Sequence, residues 1–342
     1  MAGSGFFRFH LAWIQRFGCR GLGFALLLLL GAPSLLAQDY PTRPVRMLIG
    51  APAGTAPDFI ARLLAPKFSE ALKTPVVVEN RPGANGTAAM KFTAKSTPDG
   101  HTMHLAGIGA LVIAPAMAKT PYDPLEKLAP VAQVVSMPNV LMVSTASPAN
   151  GLDELIALAK KEPGRLTYAT VGNGIPGRYA GELFKAVAKV EIIPVQHQKG
   201  SDALNDLASG RLNFLVAATS TAVPQVKAGK ARALAVTANK RLDALPDVPT
   251  VAEKGLAGYE STNWYGIVVP AGTPQRVIDR LHKETATILS TSATAKALAA
   301  RGIEIAPSLP EQFSAYIRAE RAKWTKVIKA TQERTESRSA LP

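Results

Sequence analysis

Three stretches of small residues each follow an apolar run and precede a helical pattern, and the chemistry open to them is that of an anion cradle. The first, Gly50-Ala51-Pro52-Ala53-Gly54-Thr55-Ala56, leads into Pro57 and Asp58. Proline suits a first helical turn because its missing N–H would be unpaired there, and Asp58 offsets the positive end of the helix dipole. The second is Gly107-Ile108-Gly109-Ala110; the third, Gly172-Asn173-Gly174-Ile175-Pro176-Gly177, lies between Val171 and Arg178. Backbone N–H groups beside a helix N-terminus favour a carboxylate or phosphate. Arg178 either adds a charge-assisted fork to such a site or is an ordinary surface arginine. No Walker-type lysine accompanies the first loop. The third has the form G-x-G-x-x-G, yet the next strand ends in Gln196-His197-Gln198, without the carboxylate a dinucleotide ribose needs. His101 and His104 form an H-x-x-H, but on a strand they face opposite sides and no third ligand adjoins them. Asp202 and Asp206 share a helix face that water can solvate, and Lys199 has no partner marking it for general-base duty. No G-x-S-x-G elbow occurs. The expectation is a binding protein with no catalytic residue, no metal and no cofactor.

Positioning such loops requires strands that end where helices begin, and from Tyr40 onward the pattern alternates in that way, as in an α/β fold with mainly parallel sheets. A strand is expected over 45–49 and a helix over 57–72, with Ile60, Leu63, Leu64, Phe68 and Leu72 on one face. Pro66 inside that helix predicts a kink or a split. Strands at 76–79 and 101–106 flank a helix over 87–95, with turn signals at Asn80-Arg81-Pro82-Gly83 and Asn85-Gly86. The apolar segment 128–143, interrupted at Met137-Pro138-Asn139, is long enough to cross between two domains, and 264–269 to cross back. Further strands are expected at 166–171, 191–195, 212–216 and 231–236, the fourth small-residue loop starting at Ala217. Pro310 opens a last helix with Phe313, Ile317, Trp324 and Ile328 on one core-facing stripe, and 331–342 should fray. Ligands of open α/β sheets bind beyond the carboxyl ends of strands. Loops one and two on one lobe and loop three on another would form a two-lobed trap closed by a hinge.

The chain has 342 residues, room for two domains. Residues 1–20 carry Arg8, Arg16 and Arg20 with no acid, and 21–36 are apolar and leucine-rich, an export signal cleaved after Ala37. A retained anchor fits less well because the apolar run is short for a bilayer. Cleavage removes Cys19, the single cysteine, so disulfides, thiol catalysis and cysteine metal sites fall away. It also lowers the net charge from +14 to +11 by three arginines. The remaining cations are scattered among acids without aromatic interleaving, which disfavours nucleic acid and suits attraction of small anions.

The segments YPTRPVRMLI, VVVENRPGANG, PDGHTMHLA, PYDPLEKLAPVAQV, YATVGNG, AGELFKAVAKVEIIPV, KGSDALNDLASG, AGKARALAVTANKR, LPDVPTVAEKGLAGYE and VVPAGTP occur in this order over nearly the whole exported chain. In them the sequence resembles the extracytoplasmic solute receptors of tripartite tricarboxylate transporters, the Bug-type proteins. The resemblance implies a two-lobed type II periplasmic binding protein fold with mixed sheets and a ligand cleft between lobes. It also implies a periplasmic monomer that captures organic acids for a membrane permease. The implied layout is a signal at 1–37, one lobe from 38–139 plus 262–330, a second from 140–261, and a flexible tail over 331–342. The cleft residues are then Pro52, Ala53, Gly54, Thr55, Asp58, Ile108, Gly109, Ala110, Val171, Gly172, Asn173, Gly174, Arg178 and Ala217. Three departures stand out: Thr55 replaces a second glycine, Ile175-Pro176-Gly177-Arg178 replaces a small polar segment before a histidine, and Ala217 stands where many amino-acid-binding relatives have Asp. Without that carboxylate a ligand ammonium has no partner, so the expected ligand is an amine-free mono- or dicarboxylate with an apolar body against Ile108, Ile175 and Ala217. A receptor for a membrane signalling partner is the alternative, and a nucleotide-dependent α/β enzyme a weaker one.

Overall fold

The computed structural model describes residues 40–117, 123–171, 175–238, 240–256 and 259–339. The body described below begins at Arg43. It begins with β1 (Val45–Ile49), whose side chains Val45, Met47, Leu48 and Ile49 are fully buried. Next come α1 (Ala56–Leu72), β2 (Val76–Asn80), a 3-10 turn (Ala84–Gly86), α2 (Thr87–Lys95) and β3 (Thr102–Gly107). Helix α1 is continuous, so of the kink or split expected at Pro66 the split does not occur. Pro66 is exposed, so water can satisfy the Arg62 carbonyl it leaves unpaired, while Ile60, Ala61, Leu64, Ala65, Phe68 and Leu72 bury one unbroken stripe.

After β3 the chain runs into α3, a π-helical turn (Gly109–Ile113) continued by Ala114–Met117, and then α4 (Pro124–Lys127) and β4 (Leu128–Val143). The later elements are α5 (Leu152–Lys161), β5 (Thr167–Val171), α6 (Ile175–Ala188), β6 (Ile193–His197), α7 (Gly200–Ala208), β7 (Phe214–Ala218), α8 (Thr219–Lys227) and β8 (Arg232–Val236). Strand β9 (Thr262–Pro270), α9 (Gln275–Ser290), α10 (Ser292–Ala299), β10 (Glu304–Ile305) and α11 (Pro310–Ser339) complete it. The last helix keeps its backbone helical to Ser339, beyond the point where fraying was expected, and Phe313, Ile317, Trp324 and Ile328 are buried as one stripe.

All ten strands join one mixed sheet in the order β2-β1-β3-β9-β4-β7-β5-β6, with β8 and β10 added on β4. Strands β1, β2 and β3 are mutually parallel, as are β5, β6 and β7. Strand β4 is shared: Leu128 to Pro138 pairs antiparallel with β9, and Asn139 to Val143 with β7 and β8. The interruption expected at Met137-Pro138-Asn139 is a change of partner within one strand. Proline has no N–H to give a ladder, which suits the residue where one set of neighbours ends. Among the described residues no helix is long and apolar enough to cross a membrane.

Candidate functional site: three helix starts beside a strand crossing

Loop one is held from below by Asp58, a buried first-turn residue of α1. Its Oδ2 accepts from the Gly54 N–H at 2.9 Å, and its Oδ1 accepts from Arg62 Nε at 3.0 Å and Asn80 Nδ2 at 2.9 Å. Asn80, at the end of β2, also donates to the Ala51 carbonyl at 3.0 Å, and its own Oδ1 accepts from Arg62 at 3.0 Å. The Arg62 hydrogen bond and the Gly54 N–H hold the Asp58 carboxyl at about 2, below the ordinary carboxylate value and against the opposing effect of burial. Both oxygens are thus committed to the protein's own chain, and Asp58 shapes the loop. The Thr55 hydroxyl is also turned inward, donating to the Pro52 carbonyl at 2.7 Å. Pro52, Ala53 and Gly54 form the exposed tip, and the space beside Gly54 is open.

The second stretch is a helix start, where a loop was expected. Strand β3 ends at Gly107, Ile108 already has helical dihedrals, and the Ala114 N–H reaches the Gly109 carbonyl in the wide π pattern. Small residues and a missing capping side chain gave a loop signal in the sequence; the buried run Ala110, Leu111, Val112 and Ile113 supplies the packing that makes it helical. Ile108 is 5% exposed and Ala110 7%, both part of the core, so it is the backbone around half-buried Gly109, with open space beside it, that faces outward.

A third helix start, that of α2, joins these two; the sequence marked the turn and the helix after it, but not their place beside loop one. A Cβ on Gly50 would lie 2.6 Å from the Gly86 Cα, and one on Gly86 3.3 Å from the Ala110 Cβ. Gly86 has φ of +85° and stands immediately before α2. The close approach therefore requires glycine at both positions, and it brings the start of loop one, which leads into α1, against the starts of α2 and α3 beyond the carboxyl ends of the strands. The Asn85-Gly86 dipeptide between a strand and a helix was the available signal. Of the residues that brace loop one, Arg62 stands four residues after Asp58, the spacing of an ion pair on a helix face, while Asn80 left no signal of this role in the sequence.

On the other side of the crossing, Gly172, Asn173 and Gly174 lie outside the described residues, as do the side chains of Val171 and Arg178. What positions this third stretch is described. Helix α6 rests on Tyr168 of β5, over whose ring a Cβ at Gly181 would lie 2.0 Å from a ring carbon. The Tyr168 hydroxyl donates to Glu182 at 3.2 Å, and the Tyr259 hydroxyl to the Ala180 carbonyl at 3.1 Å. The Tyr168 ring stacks on Phe214 with centroids 5.6 Å apart, and α6 packs against α3. Ala217, level with Val140, packs on an apolar cluster with Leu215 and Ala222. Two residues on, the Thr219 hydroxyl donates to the Gly302 carbonyl at 2.5 Å. A cavity of about 330 Å³ opens there between α8 and α10, lined by Val223, Leu242 and Ala299, and it includes none of the residues of loops one to three.

The two halves of the sheet meet in a buried polar knot. The Asn139 N–H donates to Thr237 Oγ1 at 2.9 Å, its Nδ2 to the Ser261 carbonyl at 2.6 Å, and its Oδ1 accepts from Asn263 at 3.1 Å. Thr237 Oγ1 donates in turn to the Ser261 carbonyl at 2.5 Å, and the Thr237 N–H to the Asn139 carbonyl at 2.9 Å. Asn139, Thr237 and Ser261 are all buried. Of the H-x-x-H, His104 is committed to the core: its Nδ1 lies 3.1 Å from Thr93 Oγ1, which itself donates to the Ala89 carbonyl. Among the described residues no three His, Asp or Glu groups come together as a metal site would need.

This arrangement has known counterparts. Protein BugT of Bordetella pertussis (strain Tohama I) is 32% identical over 302 residues, 88% of this chain and 93% of BugT. The solved structure of R. palustris Rpa4515 with adipate has 33% identity and a TM-score of 0.73, covering 85% of this chain and 98% of that one. MatC from Rhodopseudomonas palustris with bound malate has 28% identity and a TM-score of 0.70, covering 84% of this chain and all, 100%, of MatC. The fold is that of the periplasmic binding proteins, α/β with a mixed sheet, as the resemblance in the sequence implied. The family model described as "Tripartite tricarboxylate transporter family receptor" matches residues 60–332, and the chain belongs to that family of periplasmic solute receptors, which are not enzymes.

Proposed function

We propose that this receptor captures a small, amine-free carboxylate in the cleft beside the crossing strands and hands it to a membrane permease of the tripartite type. The observation that carries the anion is the meeting of loop one at Gly50 with the starts of α2 at Gly86 and of α3 at Gly109 and Ala110, with open space beside Gly109. The starts of α2 and α3, which have no acid in their first turns, offer N–H groups and positive dipole ends to a carboxylate, while Asp58 already offsets the dipole of α1. The solved relatives with adipate and malate bind dicarboxylates without an amine, which supports the same class here. Ala217, seated on apolar residues, offers nothing to an ammonium group. Contacts from Pro52, Ala53, Thr55, Gly109, Gly172, Asn173, Gly174 and Arg178 complete the proposed site, with Asp58 as the residue that shapes it. Lobes divided near Asn139 and Ser261 would close over the ligand. Residues 1–37 serve as the export signal.

Thermal unfolding of ligand-stripped protein with adipate, malate, aspartate, glutamate and NAD tests this. A ligand at 100 times its dissociation constant stabilises by about 2.7 kcal/mol, readily visible in a melt. Stabilisation by a dicarboxylate is expected; a preference for aspartate over malate would overturn the amine-free assignment, and a response to NAD alone would restore the nucleotide reading.

A further inference from the structure

Outside the cleft, the first half of the sheet carries a basic groove of about 560 Å³ lined by Arg46, Arg81, Lys91, Phe92, Lys95 and Thr97. Its floor is Phe92 of α2. The Arg81 guanidinium stacks 3.7 Å from the ring centroid and that of Arg46 5.0 Å from it. Arg46 is further held by the Thr102 hydroxyl at 3.1 Å, so both forks are fixed in place. Lys91 and Lys95 stand one turn apart on α2, a spacing at which like charges repel.

Among the described residues a single carboxylate, Glu79, enters this group, pairing with Arg81 at 2.5 Å. Four cations against one carboxylate leave a local excess of three positive charges that the fold does not compensate. The groove also adjoins the sheet edge. Val77 of edge strand β2 is level with Arg46 and 53% exposed, an apolar seat beside the cations.

We infer that this groove is a docking surface for an acidic segment of a protein partner at the membrane, an inference that rests on the receptor reading above. Its concavity and its rigid, ring-stacked arginines suit a protruding chain of carboxylates. A lipid surface is flat and is met better by projecting lysines alone. The groove is also linked to the cleft by chain: Arg81, on its wall, donates its N–H to the Ile49 carbonyl at 2.8 Å, and five residues on is Gly86 at the helix convergence. A partner seated here would sit one turn of chain away from loop one and could distinguish a filled cleft from an empty one.

The test is anisotropy of a fluorescein-labelled oligoglutamate peptide with the wild-type protein, Lys91→Glu/Lys95→Glu, and the charge-matched control Lys160→Glu/Lys161→Glu on α5. Pairs of charges at an interface steer and hold a complementary partner, so the groove variant should bind the peptide at least about tenfold more weakly than wild type, the control much less so. Adding salt should erase the difference. Equal losses in both variants would overturn the inference, as would preferential binding to phosphatidylglycerol over phosphatidylcholine vesicles with no peptide binding. Malate-induced stabilisation measured on the same variants keeps the two readings apart. If it persists in the groove variant while peptide binding is lost, both stand. If neither malate nor adipate stabilises wild type, the solute assignment fails whatever the peptide does.

Discussion

His104 is neutral in the folded protein because full burial disfavours its charged form, pushing its pKa from 6.5 down to about 3. The folded value lies below the unfolded one, so between about pH 6.5 and 3 the unfolded chain binds the extra proton and stability falls as the pH falls. The slope approaches about 1.4 kcal/mol per pH unit in that window. Urea unfolding at pH 7, 6 and 5 should show the loss in wild type and a flatter profile in His104→Gln. Asp58 works in the lower range, where its depressed pKa makes its stabilising contacts fail as pH drops from about 4 towards 2. In Asp58→Asn the amide loses the charge paired with Arg62 and can turn an N–H towards the Gly54 N–H. Stability should drop by about 1–3 kcal/mol and carboxylate affinity by about tenfold or more, read by calorimetry. The sequence marked Asp58 as a first-turn acid and a cleft residue, but not as the brace of loop one. Its partner Asn80 is 22 residues away, and pairings across that distance leave no local pattern.

Elements were the most readable layer. Strand β1, helix α2 and the whole of β4 run over the residues that periodicity and turn signals marked, because each is one apolar pattern with clear punctuation. The misreadings have physical causes. Pro66 faces water, so its lost hydrogen bond does not end α1, and the chain turns helical from Ile108 because Ala110, Leu111, Val112 and Ile113 are core. The meeting of loop one with the start of α2 depends on a contact between Gly50 and Gly86 that no spacing rule announces. It makes Gly50→Ala an informative change: a methyl 2.6 Å from the Gly86 Cα has a backbone, with no side chain to move, against it. Overpacking of this kind costs about 1–3 kcal/mol, and ligand stabilisation in a melt should shrink or vanish with it. Gly109→Ala, with open space beside it, should fold normally, so that any loss of binding reports on the cleft alone.

For the whole molecule, the polar knot at Asn139, Thr237 and Ser261 joins the two halves of the sheet and is the hinge of the closure proposed above. In Asn139→Ala the Ser261 carbonyl and the Asn263 amide each lose a buried partner, at a cost of about 1–3 kcal/mol. Small-angle scattering should then show a broader distribution of sizes for the unliganded protein, and less compaction on adding malate than wild type shows. The general architecture was legible because two long segments, 128–143 and 264–269, stood out as able to span it. The knot itself was not, since its residues come from three separated places in the chain and are ordinary polar residues in each.

The same knot fixes how the molecule could be cut. The backbone leaves the first half of the sheet at Asn139 and returns at Ser261, and these two residues are joined by a 2.6 Å hydrogen bond. The intervening stretch therefore begins and ends at one point, like a bead threaded into a loop. Removed with its own strands β5 to β8, it carries both its termini to the same spot. New ends could be opened in its surface turns, and the old ones sewn shut, without lengthening the path between them.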